Sequence, residues 1–227
     1  MTFETAQRVT EILLALALAQ SSLEHLIYDR KDRIFFTLRL VLCACLLTGL
    51  WTILSLIGLS LSALFLLHRF QGPYNGGSDK MGVLILTCLT LSHLAPSVFW
   101  QDMAFAYLAA QLTLSYFISG QVKLVNPDWR SGRALADVFA FSAYPVAENL
   151  RALAARPVLM WRLSWCVIAF EVLFPLALLS PGTLWIALGI AATFHLANAC
   201  LFGLNRFFWI WLAAYPSLLW FQGRIIG

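Results

Sequence analysis

Charge is what this chain has least of. Asp, Glu, Lys and Arg together make up 11% of its 227 residues, against 61% hydrophobic residues. A water-soluble domain carries about 25% charged residues on a roughly 45–50% apolar background. So few charges cannot cover a water-facing surface, and a soluble globule is excluded. Loop cysteines are missing too. Cys43, Cys45, Cys88, Cys166 and Cys200 all fall inside apolar runs. An odd count so placed argues against a disulfide framework, and the spacing matches no zinc site. There is no HExxH, P-loop, GxSxG or GxGxxG, so metal-dependent hydrolysis, nucleotide binding and a nucleophile elbow have no support. No repeat or low-complexity tract appears, and no basic stripe suggests a nucleic-acid partner.

What the chain has in abundance is long apolar runs, with a mean hydropathy of +0.80. Runs of a length able to cross a bilayer lie near 9–27, 34–50, 52–67, 81–96, 104–123, 162–179, 184–202 and 207–222. The expected fold is therefore all-α, a multi-span integral membrane helical bundle of about eight transmembrane helices. A single membrane domain over 1–227 is expected. The stretch 34–67 would measure about 50 Å as one helix, too long for a hydrocarbon core of about 30 Å. It is therefore broken near Gly49 to Thr52 into two tilted spans. With that break, 13 of the 15 basic residues fall on one face, leaving Arg8 and Arg224 on the other. Such a bias predicts cytoplasmic basic loops, with both termini outside the cytoplasm; a bacterial inner membrane is the expected location. Ile12 to Ala19 ends in an Ala17-Leu18-Ala19 cleavage-like triplet. Glu4 and Glu11 make a poor leader start, so the segment reads as the first span. Trp100, Trp129, Trp161, Trp185 and Trp220 sit near span ends, where amphipathic rings favour the headgroup zone.

Two loops carry structure. Gly72 to Asp79 (GPYNGGSD) is dense in turn formers, and Ser78 or Asp79 is placed to cap a helix beginning at Lys80. The second loop, Val125 to Trp161, contains two short helical patterns, Ser131 to Phe141 and Val146 to Ala155. They are broken by Pro145 and ended by Pro157. Their mixed faces predict segments lying along the membrane interface.

Four polar groups fall at similar depth. Lys123 ends its span, Glu171 lies about nine residues into the next long one, and His195 and Asn198 share a face at i and i+3. By helix rise, Glu171 and His195 sit roughly 10–14 Å below the surface, where such side chains must face protein or water. Each has a structural alternative. Lys123 can snorkel to the headgroups. Glu171, one turn before Pro175, can satisfy a neighbouring helix. His195 with Asn198 can form an interhelical hydrogen-bond pair. His93, near the far end of its own span, reads as interfacial.

The pattern YFISGQVKL followed by DW and G, Tyr116 to Gly132, then Phe170-Glu171, Phe194-His195 and Leu201 to Phe208, resembles a known family. It is similar to the vitamin K-dependent γ-carboxylase-like membrane domain, whose bacterial relatives are the HTTM (horizontally transferred transmembrane) proteins. The likeness covers residues 105–222. It implies a reduced quinone as cofactor, with no metal or nucleotide, and Lys123 as the base that deprotonates it. A lysine acting so near neutral pH needs a lowered pKa through desolvation. His195 would be a proton partner or hydrogen-bond donor, and Tyr116, Glu171, Asn198 and Trp129 would bind or orient the quinol. Three departures stand out. One more residue separates Lys123 from Asp128-Trp129 than in the animal enzyme, and that enzyme's assisting histidine has no clear match. The large exoplasmic domain that holds the family's protein substrate has no counterpart either. The expectation is therefore a quinol-linked membrane enzyme acting on a small or peptidic substrate. The alternative is a non-catalytic, DoxX-like membrane subunit that scaffolds, or supplies quinone to, a partner redox enzyme. Membrane lipid is the partner common to both.

Overall fold

The computed structural model describes residues 1–28, 32–69, 76–142 and 148–227. Among these the chain is helical, with no strand. The helices are α1 (Phe3–Tyr28), α2 (Arg33–Thr48), α3 (Thr52–Arg69), α4 (Gly76–Leu94), α5 (Val98–Val125), α6 (Pro127–Arg130) and α7 (Arg133–Phe141). A 3₁₀ segment Glu148–Ala155 leads to α8 (Pro157–Leu173), which tightens into 3₁₀ geometry over Phe174–Leu179. Then come α9 (Pro181–Phe202) and α10 (Asn205–Phe221). Four segments are long and apolar enough to cross a membrane: Thr52–Arg69, Val98–Val125, Pro157–Leu179 and Pro181–Phe202.

The other four expected runs coincide with helices, but these are less suited to spanning alone. α2 and α10 have 16 and 17 residues, short of the ~20 a typical core requires. α1 is interrupted by Glu4, Arg8, Glu11 and Glu24, and α4 opens on Asp79 and Lys80.

Helix boundaries follow local chemistry. The break in 34–67 is present: α2 closes at Gly49, whose φ of 78° only glycine adopts without strain. Arg8 strengthens that end, donating to Leu46 O at 2.8 Å and Leu47 O at 2.6 Å, where a cation meets the negative end of the helix dipole. α9 opens with a capping box between Ser180 and Thr183 and Pro181 in the first turn. It closes at Gly203, φ 70°. α8 tightens where Pro175 enters, because proline offers no N–H to the ladder. α4 starts at Gly76, earlier than the expected Lys80. Ser78 and Asp79 thus lie inside its first turn instead of capping it. The expected turn over Gly72 to Asn75 and the break at Pro145 lie outside the described residues.

The chain divides into two compact units. One comprises Met1–Ala109 and Arg206–Ile225; the other comprises Ala110–Asn205 and Ile226–Gly227. In the first, Phe3, Phe105 and Trp220 pack edge to face with centroids 5.4–5.6 Å apart. Here His93 is more than an interfacial residue. Its Nε2 lies 2.5 Å from Glu11 Oε1, and Arg8 Nη1 holds the other carboxylate oxygen at 2.8 Å. Glu11 is buried, so the paired charges offset a desolvation that a lone carboxylate could not sustain.

In the second unit the expected interfacial segment is a packed platform. Leu135, Phe139, Met160 and Phe202 form its buried core, joining α7 to the start of α8 and the end of α9. Gly132, at φ 81°, sets the approach, since a Cβ there would lie 2.6 Å from Trp161 N and 2.9 Å from Met160 C. Gly132→Ala is therefore expected to cost about 2 kcal/mol or more, combining a strained backbone with overpacking. A melting curve of the purified variant checks this. A Tm equal to the parent's would show that the platform does not pack this way.

Candidate functional site

The site lies in the second unit, where α5 passes α8. Gly120 allows the approach: a Cβ on it would stand 2.6 Å from Val172 N and 2.8 Å from Glu171 Cβ. With the helices this close, the neighbouring Ser119 and, one turn on, Lys123 reach Glu171 directly. Lys123 Nζ donates to Glu171 Oε2 at 2.7 Å and to Ser119 Oγ at 2.6 Å. Ser119 Oγ in turn donates to Glu171 Oε1 at 3.2 Å. The carboxylate is thus bridged on both oxygens by groups spaced i and i+4 on one helix. The side chains of Lys123 and Glu171 are 15% and 4% exposed. Lys123 does not snorkel away from the bundle; it turns into it.

Trp129 closes this cluster, its ring centroid 5.2 Å from Lys123 Nζ, within cation–π range. Its position is fixed locally. Asn126 ends α5 and its side chain accepts from Asp128 N at 2.9 Å, and Pro127 starts α6. Ser164 Oγ then donates to Trp129 O, and Trp165 Nε1 donates to Arg130 O at 3.1 Å. The short helix is bolted to α8 before Trp129 meets the lysine.

Tyr116 and His195 form a second cluster. They are joined by a 2.9 Å contact between the tyrosine hydroxyl and Nε2, in which either group donates according to the imidazole tautomer. Tyr116 stacks on Phe174 with centroids 4.1 Å apart and meets Phe170 edge-on at 5.5 Å. Phe194 packs against His195 at 5.1 Å. Both Tyr116 and His195 are buried, so the pair is a polar contact in an aromatic box.

The structure therefore brings the expected residues together in two groups. Lys123, Glu171 and Trp129 form one, and Tyr116 and His195 the other; the two are seven residues apart along α5, roughly 10 Å by helix rise. Phe170 precedes Glu171 in sequence and links the two. Asn198 joins neither group: it is half-buried, and its backbone carbonyl takes the Leu204 N–H at the end of α9. Three contributors were not singled out from the sequence. Ser119 stands i−4 from Lys123, Gly120 interrupts an otherwise apolar helix, and Phe174 falls one turn after Phe170. A glycine inside a helical run is a readable signal for close approach; the direction of that approach is not readable.

Residues 96–222, more than half of the chain, match the family model of the HTTM domain. The chain belongs to the HTTM family. Its apolar helices make it a membrane protein of that family. No curated protein and no solved structure matches the chain. Every residue of both clusters lies within the HTTM segment. The Arg8–Glu11–His93 network lies outside it, on residues that precede the match.

Proposed function

We propose that this HTTM protein is a quinol-linked membrane enzyme acting on a small or peptidic substrate, with Lys123 as its proton-handling group. The observation that carries the reading is the Lys123–Glu171 pair, bridged by Ser119 and covered by Trp129. An amine works as a base only after giving up a proton, and Glu171 at 2.7 Å is the group beside it able to take one. A low-dielectric surrounding narrows the gap between the charged pair and its neutral amine–acid form.

The residues present suit a quinone ring. A groove of about 350 Å³ is lined by Phe170, Phe174, Ile186 and Ile190, among other mainly apolar side chains. Phe170 and Phe174 also contact Tyr116, so an apolar surface adjoins one polar tip. When bound, a reduced quinone supplies ionisable hydroxyls and two electrons. Tyr116 and His195 would hold and orient its oxygen, and the surrounding phenylalanines would exclude water.

Tyr116→Phe is expected to keep the fold, at a stability cost of about 1 kcal/mol for the lost hydrogen bond. Turnover is expected to fall by roughly 10–100-fold if that hydroxyl handles or orients a proton. The assay is quinol and oxygen consumption by the isolated chain, run beside Lys123→Ala. Full activity in Lys123→Ala would remove the case.

One observation favours a second reading, a non-catalytic subunit. Lys123 and Glu171 satisfy each other across a close-packed helix contact, as a structural clamp would. Activity that appears only on adding a soluble partner would support that role.

A further inference from the structure

A buried charge in the other unit has no use in the site described above. Arg39, in α2, is 4% exposed, and its Nε is buried without a hydrogen-bond partner among the described residues. A guanidinium carries five N–H donors in a rigid fork, and an unpaired one is among the costliest groups to bury. Arg39 lines a small, partly open space of about 20 Å³ together with Ser21, Ser78, Asp79 and Arg206. All of them belong to the unit of Met1–Ala109 and Arg206–Ile225.

The neighbouring charges do not neutralise Arg39. Arg206 carries the same charge as Arg39, and its Nη2 lies 3.0 Å from His25 Nε2 and its Nε 3.5 Å from Glu24 Oε2. Asp79 acts on Arg39 through space. Asp79 stands in the first turn of α4, a helix of 19 residues whose leading N–H groups have no intrahelical acceptor. It precedes the apolar run that starts at Met81. Burial lifts its carboxyl above the ordinary range, with Arg206 and Arg39 pulling the other way.

We propose that Arg39, Arg206 and the first turn of α4 form a binding site for a phosphate-class oxyanion, one of whose oxygens enters the space beside Arg39. The space suits one water-sized oxygen, and the rest of the group stays at its mouth. Arginine is the side chain whose planar fork matches such oxygens. The same chemistry is offered by free inorganic phosphate and by the terminal phosphate of a lipid headgroup.

The test uses the full chain, purified in phosphate-free detergent. Its melting is followed against inorganic phosphate and against short-chain phosphatidic acid, with chloride at matched ionic strength as control. Saturating ligand is expected to raise Tm by roughly 3–8 °C. Arg39→Gln is expected to abolish the rise, and Arg206→Gln to increase the half-saturating concentration by roughly tenfold. Saturation by phosphatidic acid at a tenfold or lower concentration than phosphate assigns the site to a lipid headgroup; equal values assign it to a free oxyanion. If neither ligand moves the parent protein beyond the chloride control, the proposal is wrong and water alone solvates Arg39. An identical rise in parent and Arg39→Gln overturns it as well. Should Arg39→Gln not fold, Arg206→Gln decides: an unchanged half-saturating concentration sinks the site.

Discussion

Glu171→Ala is expected to destabilise the protein by about 3 kcal/mol, because it leaves the Lys123 ammonium inside the bundle without its counter-charge. The side chain of Lys123 retains 15% exposure, which places the effect at the lower end of the range for broken buried pairs. Lys123→Met together with Glu171→Met should recover most of that loss, since two apolar side chains fill similar volume with no charge to solvate. The same double variant separates the roles. Under the enzymatic reading it folds well and turns nothing over; under the clamp reading it folds well and still supports a partner enzyme. Denaturation of both variants in one detergent measures the coupling. A double variant no more stable than Glu171→Ala would mean that the pair does not carry the contact.

The second large effect is steric. Gly120→Ala places a Cβ 2.6 Å from Val172 N, 2.8 Å from Glu171 Cβ and 2.9 Å from Glu171 C. Two of those three atoms are helix backbone and cannot swing aside as a flexible side chain would. α5 and α8 must part, so a cost of roughly 2–3 kcal/mol is expected, with loss of whatever activity depends on the Lys123–Glu171 distance. Gly189 supplies the comparison. A Cβ there meets nothing within 4 Å, so Gly189→Ala should be neutral or stabilising by up to about 1 kcal/mol through helix propensity. Similar melting temperatures for the two variants would refute the close approach at Gly120.

Much of the fold was legible because its signals are local. The break near Gly49 was expected from local chemistry and is observed, whereas the starts at Pro157 and at Ser180-Pro181 lie upstream of the expected 162 and 184, although each has a local capping or proline signal. The earlier start of α4 was missed because two adjacent glycines, Gly76 and Gly77, read as a turn although the helix runs through them. At the candidate site, residue types and depth were readable while pairing was not. Tyr116 and Lys123 were expected to share one pocket, yet Tyr116 meets His195 and Lys123 meets Glu171. Helix periodicity puts 116 and 123 on one face, but it does not say which residue of a facing helix lies opposite each. That depends on axial register and on how closely the helices approach.

Composition alone settled that this chain belongs in a membrane, because 11% charge cannot cover a water-facing surface. Apolar run length settled that it is helical and roughly where the long helices lie. Tertiary structure decided that Lys123 turns inward to Glu171, that Tyr116 bonds His195 inside an aromatic box, and that Arg39 is buried with its Nε unbonded among the described residues. The reason is geometric. A residue's neighbours along the chain are dictated by helical pitch, whereas its neighbours across helices depend on the missing side chain at Gly120 and on packing that no single segment encodes.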